Sequence, residues 1–183
     1  MAMNENGFSS LQRVLERIPV RIRMLGYGVS FLAFVLIALP WLAYRIDVYA
    51  PGWHIEIGWL RIVGAVLFVG FLGMYIFCSY VLSSRGRGPF VEFDPPREFV
   101  ASGPYRWVRN PVAACLAGSI LGLAIALSST GVFLLFLLGL PLAHMQVVRL
   151  EEPLLRKRFG ASYEAYVRSV PRWIPRPPRS GRT

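Results

Sequence analysis

The sequence is short of most things that soluble chemistry is built from. Its two cysteines, Cys78 and Cys115, both fall inside apolar runs. They offer neither a disulfide framework nor a metal-ligand spacing, and small apolar packing is their reading. Acidic residues number ten against twenty basic ones, for a net charge of +10, and the basic charge is almost wholly arginine. Gly86-Arg87-Gly88 begins like a glycine loop, but it lacks a third glycine and a preceding soluble strand. That excludes a Rossmann nucleotide site. No internal repeat is present. No motif supports nucleic acid as a partner, and the arginines lie beside apolar runs, where anionic headgroups of membrane lipids fit better.

What the chain does have is hydrophobicity. Of its 183 residues 55% are hydrophobic, and the mean hydropathy is +0.48. Four apolar runs of membrane length are visible. They predict an all-α, multi-span integral membrane protein with four transmembrane helices and cytoplasmic amphipathic helices.

In chain order, residues 1–24 form an N-terminal interfacial segment. Leu11, Val14, Leu15, Ile18 and Ile22 recur there at helical spacing, with Arg13, Arg17, Arg21 and Arg23 between them. The first run is too long for the core of a signal peptide, so it is expected to be retained. Residues 25–82 hold two spans, Leu25 to Tyr44 and Ile57 to Leu82. Pro40 is expected to kink the first, and Arg61 to snorkel from the second.

Residues 83–175 form the remaining core. A long polar connection leads to a hairpin of two apolar segments, Val112 to Leu127 and Val132 to Val148, turning at Ser128-Ser129-Thr130-Gly131. A basic amphipathic helix follows, roughly Pro153 to Val170. Residues 176–183 are a basic tail. With four spans, eighteen basic residues fall on one side and only Arg45 and Arg61 on the other. The positive-inside rule then makes both termini and the central loop cytoplasmic.

Chemistry gathers at the cytoplasmic ends of the hairpin. Asn110-Pro111 is a helix start, with asparagine at the N-cap and proline in the first turn. Arg106 and Arg109 add positive charge, which makes a carboxylate or phosphate site. Taken alone, the stretch reads first as a capped transmembrane helix with arginines on headgroups. At the other end, His144 and Glu151 share a face if the helix is continuous, seven residues bringing them within about 20°. Glu152 then points away and reads as a helix-start acid, paired with Arg149 or Arg156 or with the dipole. The donors at one end and the carboxylate at the other suit a zwitterionic amino-acid head, such as that of S-adenosylmethionine. The chemistry alone does not select that ligand.

Gly103-Pro104-Tyr105-Arg106-Trp107-Val108-Arg109-Asn110-Pro111, the hairpin, His144, Glu151-Glu152-Pro153, Phe159-Gly160, Tyr163, Tyr166 and Val170-Pro171-Arg172-Trp173-Ile174-Pro175 together resemble the isoprenylcysteine carboxyl methyltransferase and phospholipid methyltransferase superfamily. The resemblance covers about residues 85–175 and is nearest to small bacterial members. It implies a multi-span bacterial inner-membrane methyltransferase that uses S-adenosylmethionine without a Rossmann domain, and a lipophilic acceptor, lipid or lipidated, that enters from the bilayer. By motif it carries cofactor contacts onto Arg97, Glu98, Phe99, Val100, Tyr105, Asn110, Pro111, Val112, Ala113 and Glu151. Arg109 would orient the acceptor or the cofactor carboxylate, and His144 would assist deprotonation where the acceptor needs it.

This chain departs from the pattern at three positions. Asn110 replaces a frequent histidine, Ala113 a usual aromatic and Cys115 a usual glycine. A membrane oxidoreductase on a similar scaffold, or a non-catalytic relative, stays open as an alternative. The oligomeric state is not legible.

Overall fold

The computed structural model describes residues 18–51, 56–86 and 98–177. Arg97, Arg13, Arg17 and the tail beyond 177 lie outside the described residues. Among the described residues every regular element is helical. Helix α1 (Val20–Ala33) runs through a π turn (Phe34–Ala38) into α2 (Leu39–Tyr49). Helix α3 (Leu60–Gly86) returns. After a 3-10 turn (Gly103–Arg106) comes α4 (Pro111–Leu127), then α5 (Thr130–Gln146), a second π turn (Val147–Glu151) and α6 (Glu152–Ser169).

Three stretches are long and apolar enough to cross a membrane: Leu25–Tyr49, Leu60–Gly86 and Thr130–Ser169. The last continues well past its apolar part, because charge dominates from Arg149 onward. Helix α4 is apolar but only 17 residues long. At 1.5 Å per residue it spans about 26 Å, just short of the ~30 Å hydrocarbon core. Among the described residues there are thus three candidate spans and one shorter apolar helix, the make-up of a helical membrane protein.

Of the expected interfacial helix, residues 11–17 lie outside the described residues. Helix α1 begins directly after Pro19 and carries on without interruption. Pro40 does not act alone. Its ring would crowd the carbonyl of Leu36, and the chain meets this with the wider π turn that ends two residues before it. Pro153 stands in the same relation to the turn Val147–Glu151.

Helices α3 and α4 pack through glycine. A Cβ at Gly122 would lie 2.5 Å from the backbone nitrogen of Phe68, and one at Gly64 would strike Ala126. Gly118 and Gly122 form the small-xxx-small pattern that lets helices approach in lipid, where no hydrophobic force draws them together. Cys78 and Cys115 meet in this contact with Tyr75.

The end of the bundle away from the site is fixed by polar groups. Arg61 Nε, which the sequence expects to snorkel, donates to the Ala126 carbonyl at 3.0 Å and so covers the last turn of α4. Asp47 is buried on α2. It accepts from Ser129 Oγ and from Gly131 N at 3.0 Å, while Ser129 Oγ accepts from Val132 N at 3.0 Å. These bonds take up orphan N–H groups at the start of α5 and lock α2 against it. Asp47 lies beyond the expected end of the first span at Tyr44, because the helix runs on to Tyr49.

Candidate functional site

At the opposite end the chain doubles back. Helix α6 breaks at Gly160, whose φ of +49° and ψ of −124° suit only glycine. Beyond the break, Tyr163 and Tyr166 turn inward onto Phe99, with ring centroids 5.8 and 5.1 Å from it. Tyr166 Oη donates to the Tyr105 carbonyl at 2.7 Å. The segment after α6 then lies along the loop before α4. Arg109 N donates to the Pro171 carbonyl at 2.8 Å, and Arg176 N to that of Trp107 at 3.1 Å.

Side chains tie this segment down. Arg172 grips Glu152 by two bonds, Nε to Oε1 at 2.7 Å and Nη2 to Oε2 at 3.1 Å. Arg109 Nη1 reaches the same Oε1 at 3.1 Å, and Arg156 lies 3.6 Å from Oε2. Trp173 Nε1 donates to His144 Nδ1 at 3.0 Å. Asn110 Nδ2 donates to the Arg172 carbonyl at 3.3 Å. Three guanidinium groups thus face one carboxylate, leaving the cluster cationic. Arg109 Nε is buried with no hydrogen-bond partner among the described residues.

These contacts correct the geometry expected of a continuous helix. A π turn takes up one extra residue and rotates everything after it by about 100° relative to an unbroken α-helix. Glu152 therefore takes the direction that Glu151 would have had relative to His144. The neighbours Arg172 and Trp173 accordingly contact Glu152 and His144. Glu152 is the buried acid, 2% exposed.

The electrostatics of the pair differ. Both carboxylates lie beyond the apolar part of the helix. Burial pushes the Glu152 carboxyl up, but the hydrogen bond from Arg172 and the charges of Arg109, Arg172 and Arg156 outweigh it and hold it below the usual carboxylate range. Glu151 is exposed and accepts from Gln146 Nε2 at 3.2 Å. Even so, surrounding protein desolvates it and raises its pKa, against the lowering effect of Gln146. Glu152 has almost no accessible area. Its cover is chiefly its own arginines.

The remaining expected positions fall in three places. Glu98, Phe99 and Val100 border a polar cavity of about 550 Å³ together with Ser84, Arg85 and Ser102. Tyr105 is buried against Val81 and Val100. Its hydroxyl lies 3.5 Å from the Cys78 carbonyl, and burial raises its pKa. Asn110 stands at the N-cap of α4, but its side chain makes no capping bond. Pro111 is buried, and Val112 packs toward Tyr105. Ala113 lines a second, mainly apolar cleft of about 420 Å³ between α4 and α5, with His144 and Trp173 at one end.

The arrangement brings Arg109, Asn110 and His144 into one network, with Glu152, Arg172 and Trp173 completing it. It leaves Tyr105, Phe99 and Val100 in neighbouring packing. The expected pairing of Glu152 with Arg156 is present, while its bonds to Arg109 and Arg172 depend on the π turn, at which only the spacing of Pro153 hints.

Comparison with known proteins follows the same elements. A nickel-cobalt-cadmium resistance protein, NccN, of Alcaligenes xylosoxydans xylosoxydans is 29% identical over 121 residues, 63% of this chain and 52% of that protein. The chain therefore spans about half the length of that curated relative. No solved structure matches. The phospholipid methyltransferase family matches residues 59–162, a stretch that runs from α3 through the hairpin and past the Gly160 break. With more than half of its length matched, and the Arg109–Glu152 pair inside the match, the chain belongs to the phospholipid methyltransferase family.

Proposed function

We propose that the protein is an S-adenosylmethionine-dependent integral membrane methyltransferase acting on a lipophilic acceptor, with α4 as a fourth span and both termini cytoplasmic. The observation that carries this reading is the pairing of two unlike spaces at one end of the bundle. One is a polar space lined by Ser84, Arg85, Glu98 and Ser102. The other is an apolar cleft that begins at His144 and Trp173.

The residues present fit the cofactor's amino-acid head. Glu151 offers an acceptor for an ammonium group, and the guanidinium groups of Arg109, Arg156 and Arg172 supply the positive charge that complements a carboxylate. Glu98, with Phe99 and Val100 beside it, would line the polar part, while Tyr105, Asn110, Pro111 and Val112 shape its floor through packing. The bound cofactor supplies a sulfonium methyl that is already electrophilic. What the protein must add is alignment and exclusion of water.

His144 has a more defined part than a general base. Its Nδ1 accepts from Trp173, so in the neutral ring the proton sits on Nε2. Toward the cleft His144 is therefore a hydrogen-bond donor, and taking up a proton requires parting from Trp173. A donor orients an acceptor that is already anionic, such as a carboxylate, which needs no deprotonation.

Incubation of the membrane-embedded protein with methyl-labelled S-adenosylmethionine and a total lipid extract tests the reading. Label in a chloroform-soluble product, lost in His144→Ala and Arg109→Ala, is expected. No incorporation above an empty membrane would overturn it.

A further inference from the structure

The wall that α4 turns toward α5 is built of very small residues. Ala113 and Ala117 on α4 and Ala143 on α5 leave space between two neighbouring helices, and Leu121 and Phe136 line it farther along. Its polar atoms lie at the opposite end, where His144 and Trp173 meet. From Ala113 to Leu121 the axial distance is about 12 Å at 1.5 Å per residue. Half of the hydrocarbon core is about 15 Å. The cleft is thus one leaflet deep, apolar along its length, polar at the water-facing mouth and about 420 Å³ in volume. The cationic Arg109–Arg172 cluster sits beside the mouth and complements a polar or anionic headgroup, since Arg172 directly precedes Trp173.

We propose that the cleft holds a single hydrocarbon chain of the acceptor, drawn from the cytoplasmic leaflet, and that Leu121 and Phe136 set the longest chain it accommodates. Naming the chain's owner as the acceptor rests on the methyl-transfer reading above; the gauge itself rests on the cleft. Ala117 is the width-setting residue, halfway between mouth and floor.

The test is binding of straight-chain fatty acids, from octanoate to arachidate, to delipidated full-length protein in detergent, followed by native mass spectrometry. Affinity is expected to rise by up to about fourfold per added methylene and then to level off once the chain meets the floor. Phe136→Ala moves the plateau to longer chains. Ala117→Phe, and independently Ala143→Phe, lower binding of every chain that fills the cleft by at least about tenfold. A rise that continues unbroken to arachidate, with no effect of either alanine substitution, overturns the gauge. S-adenosylmethionine binding is measured on the same samples. A length break without cofactor binding keeps the gauge and defeats the methyl-transfer reading. Cofactor binding with no length break does the reverse.

Discussion

Arg172 and Glu152 are twenty residues apart and face each other through two hydrogen bonds of 2.7 and 3.1 Å. The pair closes the C-terminal segment over the junction of α5 and α6. Arg109, from the loop before α4, shares the same carboxylate. One acid thus joins three parts of the chain that are far apart in sequence.

Removing the acid leaves its arginines facing each other. Glu152→Gln is expected to destabilise the fold by about 3 kcal/mol, the range found when one partner of a buried ion pair is deleted. Arg172→Ala should cost less, because its side chain is 31% exposed and water can replace it. Thermal unfolding in detergent gives the order. Limited proteolysis should cut after α6 first in both variants.

Acid should separate the two neighbouring carboxylates. Glu152 has a folded pKa below its unfolded one, so its contribution is present above the unfolded value of about 4.3 and is lost as pH falls through the lower folded value. Glu151 is shifted the other way, chiefly by burial. Its charged form is disfavoured in the fold, and protonation on acidification begins above the ordinary carboxylate range. Cofactor binding should therefore weaken before stability does. Parallel titrations of binding and of the unfolding midpoint, from neutral pH downward, check the order of the two events.

Gly160 turns α6 back on itself without touching anything, since a Cβ there would meet no atom within 4 Å. The cost of Gly160→Ala is therefore conformational, about 1–3 kcal/mol. Tyr163 and Tyr166 would lose their seats against Phe99. Near-ultraviolet circular dichroism should show loss of aromatic signal while the helical signal is kept.

Much of this was legible in the sequence. The apolar hairpin and the tail helix emerge close to their expected bounds, because uncharged runs bounded by Asn110-Pro111, Ser128-Ser129 and Arg149 leave few other solutions. What stayed hidden depends on register and on distant partners. Periodicity places Glu151 on the face of His144 by assuming an unbroken α-helix, and one extra residue in the turn Val147–Glu151 brings Glu152 to that direction and buries it. The role of Asp47 is not legible in the sequence because its partners, Ser129 and Gly131, lie more than eighty positions away. Asn110 occupies the expected cap position, yet its side chain serves Arg172 instead.

Binding of S-adenosylmethionine to the purified protein, measured by calorimetry in detergent, tests the central claim most directly. Saturable binding is expected, at least tenfold weaker in Glu151→Ala by the loss of a charge-assisted contact of about 1.5–3 kcal/mol, with the unfolding midpoint unchanged. No heat from the wild-type protein, or equal affinity in the variant, would contradict it.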